Sequence, residues 1–276
     1  MVRAMIAKML FSWGIVSSLC CAVLVGRVAA APATLAGHQA TYGVTLASAT
    51  SGSGLVAAEG AVHYRFADAC EGWTVENRTL LRLTGDEGAV SESLWSYTSW
   101  ESKDGLSFRA RVREITDGEV TEDFSGEASL ERRGSPGKAR FRKSIDRQLD
   151  LPAGTQFPTQ HLRGLLASAR GGQHYVPATV FDGADADNPY RVGTVIGVAA
   201  DGVSAKLAQR AGLVDMPVWS VQMAFFAANQ PAAVPIFEVG ANYREDGIAD
   251  TILQDIGGLV LRMTLESVEL LPAPDC

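Results

Sequence analysis

Catalytic hardware is what this 276-residue sequence has least of. It contains no Gly-x-Ser-x-Gly elbow and no glycine-rich phosphate loop leading into a helix. Neither a serine nucleophile with its base and oxyanion hole nor a phosphate cradle can therefore be nominated. Histidine is scarce as well. The four histidines, His38, His63, His161 and His174, show no pair at metal-ligand spacing with a third ligand nearby, so no metal centre and no cofactor is expected. Basic residues run short against acidic ones, 24 Lys and Arg against 31 Asp and Glu.

Cysteine is limited to Cys20, Cys21, Cys70 and Cys276, and the first two fall in a segment that reads as a leader. Residues 1–8 carry Arg3 and Lys8, residues 9–25 are almost wholly apolar, and small residues end at Ala29-Ala30 before Ala31-Pro32. A basic start, an apolar centre and small side chains at the end form a secretory signal peptide, with cleavage expected after Ala30. A retained membrane anchor is the competing reading, but the apolar run is short of a full span and contains serine. A lipidation signal is excluded, because Leu19 and Cys20 stand where Gly or Ala would precede the modified cysteine.

Removing residues 1–30 takes away three basic and no acidic side chains, which leaves 21 against 31 and a net charge of −10. Such a surface argues against nucleic acid or anionic lipid headgroups as partners, since each requires a basic footprint. The runs Glu131-Arg132-Arg133 and Arg140-Phe141-Arg142-Lys143 read as solvated strand faces. Two cysteines in an oxidising compartment point to a bridge between Cys70 and Cys276. Its loop of roughly 200 residues would be worth about 4–5 kcal/mol in chain-entropy terms, often less in practice. Free thiols and an intermolecular pair remain the alternatives. No Cys-x-x-Cys arrangement occurs, so the bridge is read as structural.

What is abundant is alternation. Between His38 and Arg142 apolar and polar residues trade places, as in Val62, Tyr64 and Phe66 against His63, Arg65 and Ala67. That period suits half-buried strands. Glu71-Gly72, Asp86-Glu87-Gly88, Asp104-Gly105 and Asp117-Gly118 mark turns, and Asp-Gly favours two-residue hairpins. The expectation is an all-β meander of antiparallel strands. Further strands are expected over 175–181, 190–198, 219–227, 236–243, 248–255 and 259–270, with 201–217 left open as loop or strand.

One segment departs from the rhythm. Leu162, Leu165, Leu166 and Ala169 recur at helical spacing, which predicts a short amphipathic helix of about eleven residues, capped by Thr159 and ended by a left-handed Gly171. The layout is a leader over 1–30 and one β domain over 31–276.

Candidate binding residues follow from this. Trp95, Tyr97 and Trp100 suggest an aromatic surface on a strand that shifts register, although core packing would use the same side chains. His161 at the helix start suits either a base or anion partner, or a turn residue packed on the sheet. Asp182, Asp185 and Asp187 alternate like calcium ligands, but the glycine and the closing glutamate of an EF-hand are missing from their places. A solvated acidic turn is the reading adopted.

Several spaced segments carry a resemblance. They are Asp68-Ala69-Cys70-Glu71-Gly72-Trp73, the stretch from Leu151-Pro152-Ala153-Gly154 through Thr155-Gln156-Phe157-Pro158 to Thr159-Gln160-His161, Val180-Phe181-Asp182-Gly183 leading to Ile196-Gly197, and the terminal Cys276. Together they resemble the EipB family of cell-envelope integrity proteins over essentially the whole exported chain. The resemblance implies a spiral-like, broken β-barrel, a Cys70–Cys276 disulfide, a periplasmic location and no catalytic residues. It also implies a role in envelope integrity and stress resistance, with a periplasmic tetratricopeptide-repeat protein as partner. Two functions from different classes follow. The leading one is a non-enzymatic binding or scaffolding protein. The alternative is a carrier enclosing a lipid or lipoprotein acyl chain in a curved sheet. An envelope hydrolase would require His161 within hydrogen-bonding reach of a Ser or Asp in a cleft.

Overall fold

The protein is described from a computed structural model covering residues 34–185, 188–199, 208–209, 211–228 and 234–276. The expected leader and its cleavage site lie outside the described residues, as do Asp187 and residues 201–207 and 210; the described part of 201–217, residues 208–209 and 211–217, holds no strand.

Alternating apolar positions give a run of long strands joined by short turns. The first group is β1 (His38–Ala49), β2 (Leu55–Asp68), β3 (Gly72–Gly85), β4 (Val90–Ser102), β5 (Ser107–Thr116), β6 (Glu119–Leu130), β7 (Gly137–Lys143) and β8 (Arg147–Leu151). The short β9 (Thr155–Gln156) leads into helix α1 (Pro158–Arg170). The second group is β10 (Tyr175–Val180), β11 (Tyr190–Val198), β12 (Val218–Ala227), β13 (Phe237–Arg244), β14 (Ala249–Ile256) and β15 (Leu259–Leu270).

All fifteen strands join one sheet in the order β8-β7-β6-β5-β4-β3-β2-β1-β15-β14-β13-β12-β11-β10-β9. The two groups are zipped together by antiparallel pairing of β1 with β15, from His38 opposite Leu270 to Ala49 opposite Leu259. The order does not close on itself, because β8 and β9 are its two ends. Residues 152–154 link those ends, so the barrel is broken along a seam at its own chain connection.

Each strand expected from the pattern is present within a residue or so at its ends. The turns are less uniform than expected. Asp117 (φ 51°) and Gly118 (φ 87°) form a two-residue hairpin between β5 and β6 with positive φ at both positions, as the twist of paired strands favours. Four residues separate β3 from β4 and β4 from β5, so the other Asp-Gly signals mark longer loops. At the β2–β3 turn Cys70 itself takes φ 58°, helped by an Asp68 Oδ1 that accepts the Cys70 N–H at 2.9 Å.

The Cys70–Cys276 disulfide is formed, with Cα atoms 5.9 Å apart across 206 positions. It ties the tail beyond β15 to the β2–β3 turn. Beside it Lys103 pairs with Asp68 at 2.6 Å and lies over the Trp73 ring. The end of the chain is thereby fixed across the ends of β1 and β2, where Leu271 N–H also donates to the Gly37 carbonyl at 2.8 Å.

Two features of α1 differ from expectation. The cap position is Phe157, which offers no side-chain hydrogen bond, and Thr159 lies inside the first turn. Gly171 has φ −76°, and the left-handed residue is Gly172 at φ 72°. The helix gains its extra residues from Pro158, whose missing N–H costs nothing at a first helical position.

Candidate functional site

Besides the core packed between β1, β2 and β15, buried side chains form two further compartments, with α1 beneath one of them. The first is walled by β4–β8 and filled with aromatic rings. Phe108, Phe124 and Phe141 come from three neighbouring strands, while Phe157 and Phe181 come from the residues just before α1 and just after β10, and all five are essentially inaccessible. Their rings meet at centroid distances of 5.1 Å (Phe108–Phe157), 6.0 Å (Phe108–Phe181), 5.9 Å (Phe124–Phe141) and 5.8 Å (Phe141–Phe181). Edge-to-face and stacked contacts of this kind add to the burial of each ring. They anchor both segments that flank the helix and β10.

A polar seam separates this compartment from the second. Glu101 on β4 is 2 % exposed, and its carboxylate accepts the N–H groups of Thr159 at 2.7 Å and Gln160 at 2.9 Å. The helix is therefore capped from another strand, and the anion that its N-terminal dipole favours is the protein's own. Burial pushes the Glu101 carboxyl up to about 7, with those hydrogen bonds and the nearby Arg163 opposing it.

Tyr97 donates its hydroxyl to the Asp182 carbonyl at 2.8 Å. Asp182 Oδ1 accepts from Ala184 N–H and Asn188 Nδ2, both at 2.9 Å, while Asn188 Oδ1 accepts the Asp182 N–H at 2.9 Å. Burial pushes this carboxyl up to about 6. Among the described residues of the turn, Asp182 is thus held by side-chain and backbone partners and not solvated as expected. Gly183 is required in it, because its φ is +64° and a Cβ there would press on Ala110 and Phe108.

The second compartment lies between α1, the inner faces of β1–β3 and those of β12 and β13. It keeps a cavity of about 230 Å³. Leu35, Phe66, Leu165 and Phe225 supply apolar wall, and His38, His161, Tyr64 and Tyr243 supply polar groups. His38 Nδ1 lies 2.8 Å from the Ala36 carbonyl. The Nε2 atoms of both histidines are buried with no hydrogen-bond partner among the described residues. Burial lowers the His38 ring and takes His161 down to about 4, so both imidazoles are neutral.

The candidate residues separate in space. Pairing of β4 with β3 and β5 runs without a register shift, so the side chains alternate strictly. Trp95 and Tyr97 point inward and stack with centroids 5.6 Å apart. Trp100 falls on the outer face, where the Arg109 guanidinium lies over its ring at 4.7 Å. There it lies over Gly72, whose missing side chain leaves room for the indole, and borders an open groove of about 840 Å³ that crosses β4–β8. Arg109, Glu127, Arg140 and Asp150 line the same groove. His161 faces the interior cavity, with the Leu165 and Leu166 face of α1. Glu101, Asp182 and His38 carried no local sequence signal of their role; the first two are acidic residues inside a barrel, and only the inward parity of Glu101 with Tyr97 hints at it.

Comparison with known proteins places this architecture. The EipB-like family model matches residues 29–272. The cell envelope integrity protein EipB of Brucella abortus (strain 2308) is 30 % identical over 247 residues, spanning 88 % of this chain and 86 % of that protein. A crystal structure of a β-barrel-like protein of a domain of unknown function, also from Brucella abortus, superposes with a TM-score of 0.77 at 28 % identity. It covers 87 % of this chain and 100 % of its own.

Proposed function

The chain belongs to the EipB-like family, and on that premise we propose that it is a non-enzymatic, exported protein of the periplasm that supports cell-envelope integrity by binding a protein partner on its outer face. The relative's role in the envelope and the disulfide support the compartment. One observation carries the choice of partner over cargo: the barrel interior is already occupied. Five phenylalanines fill one compartment, and the space left in the other is about 230 Å³. That space is lined by His38, His161, Asp182 and Asp246 as well as by apolar side chains, and a long acyl chain laid against buried polar groups would leave them without hydrogen-bond partners. This weighs against the alternative of a lipid or lipoprotein carrier.

The outer groove supplies what a protein interface uses. Trp and Arg are the residues that most often carry binding energy, and here Trp100 and Arg109 are stacked at its edge with charged neighbours of both signs. The occupant is the periplasmic tetratricopeptide-repeat protein that the family resemblance implies. The hydrolase reading gains no support from His161, whose Nε2 has no hydrogen-bond partner among the described residues.

Crosslinking pull-down from envelope fractions tests this reading, with proteomic and lipidomic readouts on wild type, Cys70→Ser and the double variant Trp100→Ala/Arg109→Ala. One dominant protein partner, recovered at least tenfold less by the double variant, is expected. Recovery of acyl chains without such a protein overturns the reading in favour of the carrier.

A further inference from the structure

We propose that the partner meets the outer face of β5–β7 through an acidic segment, with one of its carboxylates seated over Ser125 between Arg111 and Arg142. This rests on the outer-face reading and names the chemistry of its partner.

Strand register assembles the site from residues that are scattered along the sequence. The outward positions of β5 include Arg109, Arg111 and Arg113, and those of β7 are Lys138, Arg140 and Arg142. Strand β6 runs between them with Asp123, Ser125, Glu127 and Ser129 facing outward. Arg109 is opposite Glu127, Arg111 opposite Ser125 and Arg113 opposite Asp123. On the other side Glu127 is opposite Arg140, Ser125 opposite Arg142 and Ser129 opposite Lys138. Directly opposed side chains have Cβ atoms about 4.5–5.5 Å apart, so every cation lies within reach of β6.

The acids on this face are too few for the cations. Asp123 accepts from Arg111 at 3.3 Å and from Lys143 at 2.9 Å, and Glu127 meets Arg142 at 3.7 Å. Arg140 reaches Asp146 at 3.9 Å in the turn before β8, and Asp150 on β8 is opposite Lys138. With Lys143 included, four carboxylates answer seven cations. Arg109, Arg113 and Lys138 make no ion pair among the described residues. A chain with fewer basic than acidic residues therefore gathers an excess of positive charge here. The shortfall is sharpest at Ser125, a small neutral residue with an arginine on each side. The Arg111 and Arg142 side chains are each 54 % exposed. A guanidinium has five N–H donors, so both keep donors beyond the contacts named, and pairs this exposed are weak enough for a partner to share.

A carboxylate is the group this opening fits, because guanidinium forks bind it through paired hydrogen bonds. A flat anionic membrane matches the face poorly. Asp123 and Glu127 stand in the middle of the cations and would confront its headgroups, whereas a peptide can set an acid over Ser125 and neutral side chains over the two carboxylates. Trp100 and Arg109, stacked at the neighbouring edge of the groove, anchor the adjoining stretch of the same segment. Opposite charge across such a contact speeds encounter and fixes orientation.

The probe is an eight-residue peptide of alternating Glu and Ser carrying a neutral dye, compared with its Gln-for-Glu counterpart. Binding to the disulfide-bonded protein is read by fluorescence anisotropy. The Glu peptide is expected to bind at least tenfold more tightly at low salt and to lose that margin as salt rises, since exposed charges are screened. Arg111→Glu/Arg142→Glu should abolish the preference, while Arg262→Glu, on β15, should keep it. Equal affinities of the two peptides for the wild-type protein overturn the inference, whether or not the variants fold. Vesicles of phosphatidylglycerol that bind more tightly than the Glu peptide overturn it in favour of a membrane. In the envelope pull-down, a protein partner recovered equally by wild type and Arg111→Glu/Arg142→Glu overturns the inference and leaves the outer-face reading standing. No protein partner from wild type sinks that reading instead, and the peptide comparison then decides the preference of the face by itself.

Discussion

The compartment walled by β4–β8 and the one beneath α1 are built from the same alternating strands, yet they are finished in opposite ways. In the first, five phenylalanines fill the interior, and the one buried polar group among them, the Tyr97 hydroxyl, is hydrogen-bonded to the Asp182 carbonyl. In the second, histidines and tyrosines face a void, and two ring nitrogens go unpaired. Alternation therefore decides which side chains point inward but not what the interior is for. That is set by whether the inward positions are spent on volume or on hydrogen-bonding groups. The filled compartment holds the fold, and the unfilled one tolerates a local loss of stability.

The largest effect expected from breaking this contrast is in the filled compartment. Phe141 is 0 % exposed, its ring touches Phe124 and Phe181, and it lies against Gly126. Phe141→Ala should cost about 3–5 kcal/mol, read by denaturant unfolding under oxidising conditions. A loss under 1 kcal/mol would mean that this compartment is not the structural one.

Next in size is the staple. Replacing Cys70 and Cys276 together by serine should cost about 2–4 kcal/mol, measured in the same way. Because β1 and β15 already pair, the folded strands should stay in place, so the circular dichroism of the variant at low denaturant should match wild type. A changed spectrum would show that the disulfide is needed to bring the two groups of strands together.

How much of this was legible in the sequence depends on the range of the interaction. Strands, the hairpin at Asp117-Gly118, the apolar face of the helix and the cysteine pair depend on local periodicity or on a count of two, and all were readable. The cap of α1 was not, because Thr159 looks like a cap from its neighbours while the true acceptor, Glu101, sits 58 positions away on β4. Trp100 was grouped with Trp95 and Tyr97 by spacing, but parity along an unshifted strand places it on the other face. The pairing of β1 with β15, which joins the two groups of strands, leaves no trace in either segment alone.

Glu101 gives the third prediction, on the boundary between the compartments. Glu101→Gln keeps one acceptor for two N–H groups, so about 1–3 kcal/mol should be lost through the orphaned donor. Its pH dependence sharpens the test. The folded carboxyl titrates near 7, above its ordinary 4.5, so the folded state binds the proton more tightly. The stability this contributes is full below pH 4.5 and is lost as pH rises through about 7. The deficit of Glu101→Gln relative to wild type should therefore be larger at pH 5 than at pH 8. A deficit that grows with pH would contradict the raised value.

The smallest effect belongs to the unfilled compartment, and there the sign reverses. His161 is neutral and buried, and it titrates near 4 against an ordinary 6.5. The unfolded chain takes up its proton first, so wild-type stability is full above pH 6.5 and falls as pH drops toward 4. His161→Leu removes that loss and also removes an unpaired Nε2, at the cost of some shape mismatch. At pH 7.5 it should lie within about 1 kcal/mol of wild type, and at pH 5 it should gain on wild type, whereas Glu101→Gln falls further behind. Two substitutions on either side of the first turn of α1 would then tilt one pH profile in opposite directions. A large loss for His161→Leu at pH 7.5 would mean that its imidazole has a partner in the folded protein, and the second compartment would have to be reclassified with the first.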